Sequence, residues 1–107
     1  MFVTLHAYRA REGEEDAVIA LHEDWRHLRA QAGGYLSGEL LRDIGDPRLF
    51  VAIACYESAA AAQAVVRDPE HAAWQRRLES LCQADPACGE FQMVWQHGLQ
   101  PALGGVP

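Results

Sequence analysis

The chain has 107 residues and a mass of 11.8 kDa, enough for one domain with a modest core. Half of the residues are apolar and 22% are charged, which argues against disorder. Nine Lys and Arg against fifteen Asp and Glu give a net charge of −6, the wrong sign for neutralising nucleic-acid phosphates or docking on an anionic membrane.

No stretch reaches the ~18 apolar residues of a membrane span. Met1 to Ala7 lacks a basic segment and a cleavage site, so a secretory leader is not expected. Cys55, Cys82 and Cys88 match no zinc or CxxC spacing. Three reduced thiols in a cytoplasmic protein are expected.

Phe2 to Arg9 (FVTLHAYR) reads as a strand, rich in β-branched and aromatic residues. Phe2, Thr4, His6 and Tyr8 share one face, and Val3, Leu5 and Ala7 the other. The acidic cluster Glu14, Glu15 and Asp16 suits a helix N-terminus. Val18, Leu21, Trp25, Leu28 and Ala32 then follow at helical spacing, until Gly33-Gly34 ends the helix. His22 falls at the edge of that stripe and is expected at the boundary or exposed.

Tyr35 to Asp43 reads as a second strand, Ile44 to Arg48 as a turn, and Leu49 to Tyr56 (LFVAIACY) as a third strand. Together they predict an antiparallel hairpin. Ser58 is the expected cap of a helix over 59–66, and Asp68-Pro69 the expected start of a new one over 70–82, with Trp74, Leu78 and Leu81 on one face. Residues 85–89 read as a loop. Phe91 to His97 (FQMVWQH) reads as a fourth strand carrying Trp95 toward an interface, and 98–107 as a loosely ordered tail. The domain is thus expected to span 1–97.

The order βαββαβ predicts an α+β, ferredoxin-like fold, a four-stranded antiparallel sheet with its helices on one face. Both faces of the third strand are apolar, although a sheet half in water alternates. A second copy of the chain is the simplest cover, giving a homodimer built as a dimeric α+β barrel.

The element order, the Tyr56-Glu57-Ser58 exit from the third strand and the broken helix at Asp68-Pro69-Glu70-His71-Ala72-Ala73-Trp74 resemble the antibiotic biosynthesis monooxygenase family over residues 2–97. That resemblance implies a cofactor-independent monooxygenase acting on a small phenolic or quinol compound. The substrate itself activates dioxygen after losing a proton, without metal or flavin. The alternative is a non-enzymatic, small-ligand-binding or regulatory barrel. Haem degradation is a third and weaker reading. That branch's Asn, Trp and His positions fall on His6, Val65 and Gln75, and none matches.

His6 and His71 are the candidate bases, since a histidine's ordinary pKa lies near neutrality. Each has a plainer reading as a histidine bonded to a neighbour. Trp74, Tyr35 and Tyr8 are the candidate substrate contacts, with Trp74 and Trp25 first of all core residues. No phosphate loop, paired-histidine metal spacing or nucleophile elbow is present. The expected partners are a small aromatic substrate or ligand and a second copy of the chain, with no nucleic acid, membrane, metal or cofactor.

Overall fold

The computed structural model describes residues 1–30, 33–83 and 87–96. In chain order the elements are β1 (Phe2–Arg9), α1 (Glu15–Ala30), β2 (Tyr35–Arg42), β3 (Leu49–Tyr56), α2 (Ala59–Val66), α3 (Pro69–Leu81) and β4 (Ala87–Gln92). The strands form one antiparallel sheet in the order β2-β3-β1-β4. This is the expected ferredoxin-like α+β architecture.

The expected helix starts are built as capped termini. Ser58 Oγ accepts from the Ala61 amide at 3.2 Å, and Asp68 Oδ1 accepts from the Glu70 amide at 2.9 Å with Pro69 in the first turn. Both satisfy amides that have no partner inside their helix. The two caps lie ten residues apart, so α2 and α3 are separate helices rather than one long rod.

The even-numbered residues of β1 and β3 face the helices. Tyr8 and Phe50 are buried with Val18 and Leu21 of α1 and with Trp74 and Leu78 of α3. Ala54 and Tyr56 are buried with Ala62 and Val65 of α2. Alternation then puts Val3, Leu5, Val51 and Ile53 on the opposite face. There Leu41 and Phe91 are about half exposed, at 48% and 52%.

The fourth strand corrects the sequence reading. It runs over 87–92, not 91–97, and takes in Ala87, Cys88 and Gly89 from the expected loop. Its register on β1 pairs Ala87 with Ala7 and Gln92 with Phe2. Beyond Gln92 the chain has run past the end of β1, apart from the Met93 amide on the Met1 carbonyl at 3.1 Å. Partner length therefore overrides the apolar run 93–95. Gly89 serves as a seat rather than a breaker, since a Cβ there would lie 2.9 Å from the Phe91 ring. Trp95 consequently lies beyond the strand and is 79% exposed. Ala32, His97 and the tail 98–107 lie outside the described residues.

Candidate functional site

Between the helix-facing side of the sheet and the helices lies a cavity of about 430 Å³. It exists because the sequence places small or absent side chains beneath large ones. Ala52, Ala54 and Gly38 contribute little volume to the sheet surface. A Cβ on Gly38 would run into the Tyr35 hydroxyl and lie 3.3 Å from the Trp25 ring.

The five residues singled out in the sequence, His6, Tyr8, Tyr35, His71 and Trp74, all line this cavity. His6 and Tyr8 rise from β1, Tyr35 from the start of β2, and His71 and Trp74 from α3. Trp74 is buried, and its indole N–H donates to the Leu21 carbonyl at 2.7 Å, which fixes α3 to α1. The His71 ring lies nearly parallel to Trp74 with centroids 6.0 Å apart, and its Nδ1 is buried. Trp25 meets Tyr35 edge-on at 5.3 Å, and Tyr35 meets Tyr56 at 5.7 Å. These rings form a continuous aromatic wall, suited to a flat apolar ligand.

His22 is the residue that sequence reasoning missed. It is half-buried, as a boundary residue is, but it lines the cavity. Its Nδ1 bonds the Val18 carbonyl at 2.8 Å, and its Nε2 bonds the Tyr8 hydroxyl. Its ring stands perpendicular to Trp74 with centroids 5.2 Å apart. The signal was present in the spacing, since His22 lies four residues after Val18 and three before Trp25, both on the apolar stripe.

The bonding fixes the protonation pattern. A carbonyl only accepts, so Nδ1 carries the proton toward Val18. In the neutral ring Nε2 must then accept, and the Tyr8 hydroxyl donates. Burial lowers the His22 pKa; the Val18 carbonyl raises it in part, and the nearby His6 lowers it again. Burial likewise lowers the His6 pKa. Tyr8 is pushed strongly upward, chiefly by burial with a smaller contribution from Cys82. At neutral pH the wall therefore presents two neutral imidazoles and one neutral phenol.

Among the described residues no group of three or more His, Cys, Asp and Glu is arranged to hold a metal ion. Val65 lines the cavity and Gln75 does not. No helix among the described residues is long and apolar enough to cross a membrane.

The sequence profile described as "Antibiotic biosynthesis monooxygenase" matches residues 1–77. Solved structures share the fold. One is a mutant of SnoaB, a cofactor-independent oxygenase from Streptomyces nogalater, with a TM-score of 0.82, 17% identity and coverage of 89% of this chain and 94% of that one. Rv0793 from Mycobacterium tuberculosis has a TM-score of 0.80 and 14% identity over 91% of this chain and 98% of its own. A conserved protein from Methanosarcina mazei Go1 reaches 0.79 at only 5% identity, over 85% of this chain and 90% of that one. At such identities the likeness establishes the fold alone. No curated protein matches the chain in sequence.

Proposed function

The chain belongs to the antibiotic biosynthesis monooxygenase family, and from that premise we propose that it oxidises a small phenol or quinol with dioxygen, without metal or flavin. The observation that carries this reading is the pairing of an aromatic wall with a short polar one. Trp25, Tyr35 and Trp74 offer flat surface, while His6, Tyr8 and His22 bring neutral hydrogen-bonding groups to the same cavity. A phenol lying on the aromatic wall turns its hydroxyl to the polar one.

Loss of the hydroxyl proton makes the ring electron-rich enough to reduce dioxygen. The ring carbon gains one oxygen atom and gives up its hydrogen. The hydroxyl becomes a carbonyl, and the second oxygen atom leaves as water. His6 and His71 are the proposed catalytic side chains. His6, kept neutral by burial, holds the phenolate oxygen with its ring N–H, and a fixed donor of that kind is worth about 10²–10³ in rate. His71 lines the same cavity beside Trp74, with its Nδ1 buried.

Oxygen uptake by chelator-treated protein with a panel of naphthols and hydroquinones tests the reading. One dioxygen is consumed per quinone formed, and His6→Ala lowers the rate by about 10²–10³-fold. Phenol binding with no uptake across the panel refutes the oxygenase and leaves a ligand-binding barrel.

The active form in this reading is a cytoplasmic homodimer. The sheet face opposite the helices carries Val3, Leu5, Leu41, Val51, Ile53 and Phe91, and a second copy covers it. A single 11.8 kDa species in sedimentation at micromolar concentration refutes the dimer.

A further inference from the structure

We propose that Tyr8 and His22 form a proton relay that takes up the hydroxyl proton of the bound phenol, with His22 Nε2 as its terminus. This rests on the oxygenase reading above. The Tyr8 hydroxyl donates to His22 Nε2, and both residues line the cavity. Tyr8 oxygen therefore keeps acceptor capacity for a hydroxyl placed in the cavity. As the phenol gives its proton to Tyr8 oxygen, Tyr8 passes its own proton to His22 Nε2. The products are a phenolate, a neutral Tyr8 and a His22 imidazolium. His22 later gives the same proton back through Tyr8 to the cavity, where it ends on the distal peroxide oxygen. That oxygen leaves as water together with the hydrogen lost from the ring carbon, so no proton is left on the protein after turnover.

Two features make His22 the terminus rather than His6. The Val18 carbonyl accepts from its Nδ1 at 2.8 Å and holds the ring, so a third group orients the base. That bond also favours the charged ring, whereas burial alone acts on His6. Tyr8 cannot serve as a base on its own, because burial makes its phenolate costly. A concerted relay keeps it neutral throughout. His6 and His22 disfavour simultaneous charging, so a proton on His22 leaves His6 neutral, as its role toward the phenolate requires.

The plain alternative is that the Tyr8–His22 bond merely ties β1 to α1, and His22→Gln separates the two. Glutamine keeps a carbonyl oxygen for Tyr8 and an N–H for Val18, but it cannot store a proton. Wild type, Tyr8→Phe, His22→Gln and the double variant are compared in oxygen uptake with the best phenol of the panel. Both single variants are expected to lose about 10²-fold or more in kcat with KM little changed. The double variant is expected to be no slower than the worse single one, because the pair acts as a unit. Rates in mixtures of light and heavy water should bow for wild type, with two protons in flight, and run straight for Tyr8→Phe.

A wild-type rate in His22→Gln, a straight isotope plot for wild type, or multiplicative losses in the double variant each overturn the relay while the oxygenase stands. A wild type that binds phenols and consumes no oxygen overturns the oxygenase and the relay together. If Tyr8→Phe fails to fold, as circular dichroism reports, His22→Gln and the wild-type isotope plot decide.

Discussion

Gly34→Ala should be among the most damaging single-methyl changes in this protein, and its cost divides into two separable parts. Gly34 has φ of +84°, where an L-residue costs about 1–2 kcal/mol. A Cβ built there lies 2.5 Å from Ala61 Cβ in α2. Ordinary carbon contacts are about 3.5–4.0 Å, so α2 would have to retreat by about 1 Å. Overpacking of that kind costs about 1–3 kcal/mol. The sum is about 2–5 kcal/mol, a large share of a small domain's stability of about 5–15 kcal/mol. Urea unfolding measures it directly. Ala61→Gly removes the methyl that Gly34→Ala strikes, at about 1 kcal/mol in helix propensity. In the double variant the clash disappears while the backbone cost remains, so a favourable coupling of about 1–3 kcal/mol is expected. Additive single effects, or a Gly34→Ala protein within about 0.5 kcal/mol of wild type, would refute the close approach of α2 to the start of β2.

Asp68→Ala should cost about 0.5–2 kcal/mol in the same assay, because it removes the acceptor of the Glu70 amide; an unchanged midpoint would mean that α3 does not depend on this cap. Gly38→Ala should narrow the cavity against Tyr35 and Trp25 and weaken phenol binding about 5- to 150-fold as about 1–3 kcal/mol of crowding falls on the bound state; calorimetry showing an unchanged Kd counts against the cavity as the binding site. Stability should fall with acid. His6 and His22 titrate below the ordinary value of 6.5 in the fold, so beneath that pH the unfolded chain binds more protons and stability drops as pH falls toward the folded-state values. Urea midpoints that stay level between pH 7.5 and 5 contradict this, and His22→Gln should flatten the dependence.

The fold was legible where local chemistry and periodicity agreed. β1 is rich in β-branched and aromatic residues and β3 is nearly all apolar, and the sequence boundaries of both agree with the structure. The break between α2 and α3 was legible because Ser58 and Asp68-Pro69 are start signals that no helix interior favours. β4 was misplaced because its limits are not local. Phe91-Gln-Met-Val-Trp has the stronger strand composition, yet a strand extends only where it has a neighbour to pair with. β1 begins at Phe2, and that alone stops β4 at Gln92. Its glycine read as a breaker because the ring it makes room for, Phe91, belongs to the same strand.

The candidate site was legible as a set of residue types that face one cavity, not as a hydrogen-bonded arrangement. His6 and Tyr8 alternate onto the helix-facing side of β1, and His71 and Trp74 lie one turn apart on α3, so period alone brings all four to one cavity. Which side chain bonds which depends on distances between elements, and these are set by core volume. Phe50 and Tyr8 below, and Leu21 and Leu78 above, decide how near α1 approaches β1, and so whether His22 reaches the Tyr8 hydroxyl. A histidine on the edge of an apolar stripe reads as a boundary or exposed residue from its position, and burying it without partners would be costly. The structure removes that objection by supplying both partners, the Val18 carbonyl one turn back in α1 and the Tyr8 hydroxyl on β1. The first of these bonds is local and could be read from four-residue spacing. The second is long-range, and it turns a satisfied histidine into one coupled to the cavity.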